Sequence, residues 1–320
     1  MEQSQQSLSP TKSSTFRDNT QLSSYKDCPR KFQLRHVMNW RPAGTGTPLV
    51  FGSSWHAGQD ALWKNAKEFS KQDLRHLAML GFMSKWEEEG LPTSLSLEQV
   101  EQLGARTPPV AEEMYLNYIE QRWQILQGCE LIAIEQPFAV PLPNIPDVWY
   151  VGRLDKVINY NGQRLIIEHK TTSEYKIDGG FRSLYLDSWD SDSQVKGYEF
   201  GGSLYFQTDQ VWIDAALVHK KVHDKFRFVP VQHQQPIILE WIESTCDWVT
   251  RLNRDIERNY FPKNEGNCVG KYGACQFMDI CRTQPAPAEL KEAPYGYVVE
   301  PWSPFDTLGL DKLIQGDQHA

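Results

Sequence analysis

Residues 151–172 read VGRLDKVINYNGQRLIIEHKTT, two β-rich runs on either side of Asn161-Gly162. An Asn-Gly pair in that setting is the strongest short-range signal for a two-residue type I′ hairpin. With that turn Tyr160 faces Gln163, and counting outward sets Asp155 opposite Glu168. Side chains alternate along a strand, so Lys170 projects from the face that carries both acids. Carboxylates so opposed repel each other and call for a cation, either Lys170 or a divalent metal. Many hairpins carry charges on a solvated face, but Leu154, Val157, Ile166 and Ile167 beside these acids are apolar.

At 320 residues and 40% hydrophobic content the chain can bury a full core. A net charge of -8 argues against coating nucleic acid through bulk positive charge. It leaves room for an enzyme whose metals neutralise acidic ligands. No apolar run reaches the roughly 18 residues of a membrane span, and the N-terminus MEQSQQSLSPTKSSTF has no apolar signal-peptide core. The expectation is a cytoplasmic protein without a membrane partner. Six cysteines there point to metal or cluster ligation, or to buried thiols, before disulfides.

Residues 1–20 are Ser, Thr and Gln with few large apolar side chains and read as a disordered tail. A short helix follows, holding Cys28-Pro29. A Gly-rich loop then enters a helix near Ser53 or Ser54, with Trp55, Leu62, Ala66 and Phe69 as its core stripe and His56 at the edge. A lone helix histidine is more often structural than a ligand. Residues of about 70–128 read as a helical insertion, with Met114, Tyr118 and Ile125 buried in the helix that Pro108-Pro109 opens. Cys129 and an exposed Glu135 read as structural. After the hairpin, Gln194 and Tyr198 lie four apart on one helix face. Two strands and a long amphipathic helix from Pro236 follow, with Ile238, Trp241, Trp248 and Leu252 inward and Cys246 in the core. Cys268, Cys275 and Cys281 then crowd a loop rich in Gly and Asn. Three thiols do not complete a tetrahedral site, and Cys28 supplies a fourth if the chain ends meet. Residues 283–320 read as a Pro-rich peripheral tail, packing in part through Trp302 and Leu308.

Taken in order, Cys28, His56, Asp155, Glu168-His169-Lys170, Gln194-x-x-x-Tyr198 and the three late cysteines resemble the PD-(D/E)XK nucleases. The likeness is to their RecB-like exonuclease branch with an iron-sulfur cluster, over about residues 22–282. The resemblance implies an α/β fold with a restriction-endonuclease-like mixed central β-sheet flanked by helices. It implies a nuclease domain over 21–282, with the helical insertion and with a cysteine-cluster region joining the N- and C-terminal segments. His56, Asp155 and Glu168 would hold Mg2+ or Mn2+, Lys170 would orient the attacking water, and His169 would be the variable position. Gln194 and Tyr198 would contact the DNA backbone or steady the site. Cys28, Cys268, Cys275 and Cys281 would hold a 4Fe-4S cluster. Structural Zn2+ stays open, because six residues separate the first two late cysteines where the family often has two. The implied activity is metal-dependent hydrolysis of DNA phosphodiester bonds, an exonuclease on single-stranded ends rather than an endonuclease. Its setting would be recombination, repair or phage DNA processing in a bacterial or phage-infected cell. No Gly-x-x-x-x-Gly-Lys-Ser/Thr motif occurs, so unwinding would fall to a partner helicase or recombinase. The alternative is a non-catalytic DNA-binding recombination scaffold that keeps the fold.

Overall fold

The structure, a computed structural model, describes residues 10–44, 46–174, 180–220, 225–270, 273–285 and 289–316. Along the chain come β1 (Thr15–Asp18), α1 (Asn19–Asp27), α2 (Pro29–Phe32), β2 (Trp40–Pro42), α3 (Thr47–Asn65), α4 (Lys71–Glu88), α5 (Leu97–Leu103) and α6 (Pro108–Gly128). Then follow β3 (Glu130–Pro141), β4 (Val148–Tyr160), β5 (Gln163–Thr172), α7 (Ser183–Asp187), α8 (Ser193–Phe206), β6 (Val211–Leu217), β7 (Phe226–Val231) and α9 (Gln235–Glu257). The last elements are β8 (Val269–Gly270), β9 (Gly273–Ala274), α10 (Met278–Thr283), β10 (Tyr297–Val299), α11 (Pro304–Leu308) and α12 (Asp311–Gly316). The fold is mixed α/β with a central mixed sheet flanked by helices, as the sequence led us to expect. The chain divides into two compact units, one of Met1–Gly44, Pro137–Arg153 and Gln234–Ala320, the other of Thr45–Gln136 and Leu154–His233.

The second unit holds the hairpin. Asn161 and Gly162 both take positive φ, 53° and 78°, as a type I′ turn requires. The antiparallel ladder runs from Tyr160↔Gln163 to Lys156↔Ile167. One step further along lie Asp155 and Glu168. β5 pairs parallel with β6, and β6 pairs antiparallel with β7. Alternation along the strands sorts the two faces. Ile158, Leu165 and Ile167 join the core built with α3, α4 and α6, while Ile166 lies against Gly202 of α8.

Helix α3 starts at Thr47, some six residues before the expected Ser53 or Ser54. Gly46 is extended at its cap and Pro48 sits in the first turn, where proline is favoured. Gly52-Ser53-Ser54 stays helical because Val50, Phe51, Ser54 and Trp55 are buried, so packing overrides weak propensity. Trp55, Leu62 and Ala66 are core as expected, but Phe69 is exposed beyond the helix end. The helices α3 and α4 cross at Gly58 and Gly81. A Cβ on Gly81 would stand 2.8 Å from the carbonyl oxygen of Ala57, closer than packed atoms approach.

In the first unit β1 pairs parallel with the start of β4, Thr15↔Val148 through Asp18↔Val151. The expected tail through residue 20 is therefore corrected, since Phe16 is buried with Ala139, Trp149, Val151 and Leu310. Residues 1–9 lie outside the described residues. The segment after 283 is also more regular than a peripheral tail. Trp302, Phe305 and Leu308 pack on the same cluster, and β10 pairs with β2. On α9 the inward positions are Trp241, Ile242, Thr245, Val249 and Leu252. Ile238 and Trp248 are half-buried. Cys246 is half-buried too, its Sγ 3.3 Å from the Pro143 carbonyl oxygen, so it caps an edge rather than filling the core.

Candidate active site

Strand alternation and one strand break explain how the site assembles. Glu168 and Lys170 project toward α8, and Lys170 Nζ lies 2.6 Å from Glu168 Oε1. The same ammonium donates to Gln194 Oε1 at 3.0 Å, and Gln194 Nε2 donates to the Tyr198 hydroxyl at 2.6 Å. Thus Gln194 and Tyr198, expected on one helix face, form a hydrogen-bonded pair that anchors Lys170. Asp192 caps α8 by accepting from the backbone of Gln194 and Val195, which fixes Gln194 at the helix start. Asp155 Oδ2 accepts the backbone N–H of His169 at 2.8 Å and stands 3.2 Å from His56 Nδ1. His56, Asp155, Glu168, Lys170, Gln194 and Tyr198 are therefore brought together through these contacts, all within the second unit.

The electrostatics separate the two acids. Asp155 is 7% exposed and Glu168 2%, so burial raises both carboxylates. For Asp155, His56 and then Lys156 overcome burial and hold it well below the usual range. For Glu168, burial and the adjacent Asp155 charge win, pushing it to about 7. Burial lowers Lys170, but Glu168 and Asp155 outweigh it and leave its pKa raised. His56 behaves likewise, lowered by burial and raised further by Asp155. Glu168 Oε2 is buried and has no hydrogen-bond partner. An orphaned carboxylate oxygen beside a second acid fits a divalent cation.

The opposite face of the hairpin carries a polar layer that the sequence reading missed. Lys156, fully buried, reaches Asp60 of α3 at 3.0 Å, one helical turn beyond His56. His169, read only as a variable position, is fully buried, and burial with the nearby Lys156 charge depresses it to about 4. Its register partner on β6 is Asp214, with Oδ2 3.3 Å from His169 Nδ1. Asp214 also accepts from the Tyr118 hydroxyl at 2.6 Å and from Arg122 Nη2 at 2.9 Å. The available signal was an aspartate inside the apolar strand VWIDAALVH, since a buried acid needs partners. Glu135 is a correction of another kind. Expected to be exposed and structural, it is half-buried, and one ligand atom from each of His56, Glu135 and Asp155 lies within 4.8 Å of the others. Its φ of 48° breaks the in–out alternation of β3, so counting along the strand misplaces it.

The four expected cluster cysteines line a single cavity of about 580 Å³ in the first unit. Cys28 stands between α1 and α2, where its Sγ accepts the backbone N–H of Asn264 at 3.3 Å. Asn264 and Asn267 side chains donate to the Asp27 carbonyl at 2.9 Å and 2.7 Å. The Phe-Pro-x-Asn phrase at 261–264 thus holds the Cys28 loop, with Phe261 stacked on Phe32. Cys268 and Cys275 are joined by the Cys275 N–H donating to the Cys268 carbonyl at 2.8 Å, and Cys281 follows on α10. Burial pushes the Cys281 thiol up, against the pull of Lys263 and Arg30. All six cysteines are free thiols, and Cys129 packs in the core of the second unit.

A helix histidine, two adjacent strand carboxylates and a lysine held between an acid and an amide thus lie together in the second unit. The chain belongs to the PD-(D/E)XK nuclease superfamily, whose family model matches residues 19–282. Among solved structures it is similar to a Eubacterium rectale protein titled "putative exonuclease", at 13% identity and a TM-score of 0.49, over 89% of this chain and 91% of that one. No curated protein matches it.

Proposed function

We propose that the chain is a metal-dependent deoxyribonuclease, acting as an exonuclease on single-stranded ends in recombination, repair or phage DNA processing. The observation that carries the reading is the Glu168–Lys170 pair, with one carboxylate oxygen held by the ammonium at 2.6 Å and the other buried without a partner beside Asp155. His56, Asp155 and Glu168 would hold Mg2+ or Mn2+. Such an ion supplies Lewis-acid polarisation of the phosphate and a lowered pKa for attacking water. The residues themselves do the positioning. Lys170, fixed by Glu168 and Gln194, places a positive charge where the nucleophile approaches and where negative charge develops. Asp155, tied to the His169 backbone and to His56, keeps its charge. Tyr198 holds Gln194, and through it the lysine.

The four cysteines would hold a 4Fe-4S cluster. Among the described residues, the one trio of His, Cys, Asp or Glu ligand atoms within 4.8 Å of one another is His56, Glu135 and Asp155. No trio of the cysteine sulfurs is that close. Tetrahedral Zn2+ held by the same thiolates is the alternative, and iron and acid-labile sulfide analysis against zinc content separates the two.

The test is degradation of end-labelled single-stranded DNA, linear and circular, with Mn2+ or Mg2+, beside Lys170→Ala. We expect loss of the linear form alone, abolished by chelator and slowed at least about a hundredfold in the variant. Cleavage of the circle would replace the exonuclease reading with an endonuclease one. No metal-dependent cleavage at all would favour the scaffold.

A further inference from the structure

We propose that Arg17, Arg35 and His36, in the first unit, form a track for consecutive phosphates of a single-stranded nucleic acid. This rests on the DNA reading above and assigns part of strand binding to residues outside the motif set.

Residues 15–44 carry six Lys or Arg against two acids, in a chain of net charge -8, so positive charge is concentrated here. Several of those cations are already used. Lys31 pairs with Asp27 at 2.9 Å, Arg41 pairs with Glu300, and Arg30 donates to the Phe261 carbonyl oxygen at 3.2 Å. Arg17 and Arg35 differ, since neither forms an ion pair among the described residues. Arg17 reaches only neutral acceptors, the Phe16 carbonyl oxygen, Gln21 and Asn253, and its Nε is buried without a partner. The neighbouring Asp18 uses its carboxylate to cap α1, accepting the Gln21 N–H at 2.7 Å. Arg35 Nη1 is also buried and unpartnered, with Glu300 favouring its charge and Arg41 opposing it. A guanidinium taken out of water without a carboxylate is costly. Burial accordingly lowers both arginines, Arg17 to about 10. An arriving anion would recover that cost.

His36 links the two. Its ring packs on Phe32 at 5.2 Å, and both ring nitrogens are buried without a partner. Burial, then the Arg35 and Arg17 charges, depress it to about 4, so at neutral pH it keeps one N–H to donate to a phosphate oxygen. Arg35 and His36 ride on Gln33–Val37, a single π-helical turn, a rare geometry that recurs at functional sites. Each arginine's charge acts on His36 and neither acts on the other, so the groups are strung out instead of converging on one point. That arrangement suits the repeating charge of a strand backbone better than an isolated anion, and guanidinium forks match phosphate oxygens.

The experiment measures binding of a fluorescent oligothymidylate to the full-length chain by anisotropy across a KCl series, in chelator so that no strand is cut. The proteins are wild type, Arg17→Gln, Arg35→Gln and, as a control, Arg251→Gln, which removes an exposed cation paired with Asp247 at 2.8 Å. Loss of either track arginine should weaken binding about tenfold and flatten the slope of log affinity against log salt by about 0.7, one single-strand phosphate. The control should match wild type. Arg35→Gln should also keep or raise the thermal midpoint, because it removes an unpaired buried charge. It decides alone should Arg17→Gln fail to fold. Unchanged affinity and slope, a lowered midpoint with an unchanged slope, or an equal loss in the control would overturn the track and leave the proposed activity standing. Wild type binding no oligonucleotide would overturn both the track and DNA as the substrate.

Discussion

His169 shows how much one residue can carry without touching the chemistry through its side chain. Its backbone N–H fastens Asp155 at 2.8 Å, while its ring lies fully buried between Lys156 and the Asp214 network. Burial and the Lys156 charge depress it to about 4, against roughly 6.5 in an unfolded chain. The folded state therefore binds fewer protons than the unfolded one in this interval. The contribution is fully present above about pH 6.5 and is lost as pH falls through 4, up to about 3 kcal/mol. Urea midpoints at pH 7.5 and 4.5, with 50 mM-scale salt held constant, should fall further for wild type than for His169→Asn. Equal falls would show that the ring is not the group responsible. Asp214 belongs to the same layer, and Asp214→Asn leaves Arg122 without its acid, at a cost of about 3 kcal/mol or more for a broken buried pair. A variant with wild-type thermal stability would contradict that.

At the scale of elements, α3 is placed by its crossing with α4. Because a Cβ at Gly81 would meet the Ala57 backbone at 2.8 Å, Gly81→Ala must push the two helices apart. The expected loss is about 1–3 kcal/mol, read as a lower denaturation midpoint, together with weaker Mn2+ binding because His56 rides on α3. An unchanged midpoint would mean that the crossing has slack. The hairpin was legible because its turn chemistry is local: Asn161 and Gly162 fix the handedness, and the register follows by counting. The start of α3 was not, because Gly52-Ser53-Ser54 looks like a loop until Phe51 and Trp55 are seen to be buried. Glu135 was not legible either, since a left-handed residue inside a strand defeats alternation and carries no signal in residue type.

For the whole molecule, the described N- and C-terminal segments together with Pro137–Arg153 belong to one compact unit, and the stretches Thr45–Gln136 and Leu154–His233 to the other. The cysteine cavity and the carboxylate site fall in different units. Cys28→Ala should abolish bound iron and acid-labile sulfide and lower the thermal midpoint, because the cluster would join the α1–α2 turn to residues 268–281. Iron content unchanged in that variant would remove Cys28 from the ligand set. The sequence alone determined the hairpin register and the shared face of Asp155, Glu168 and Lys170, since both follow from local turn geometry and side-chain alternation, while the α/β class came through the resemblance carried by the ordered motifs. Only the tertiary structure decided that Glu135 joins His56 and Asp155, that Lys156, His169 and Asp214 form a buried polar layer, and that residues after 283 pack with β1. Those contacts join positions far apart in the chain, and burial, which sets their electrostatics, is a property of the fold and not of any stretch of sequence.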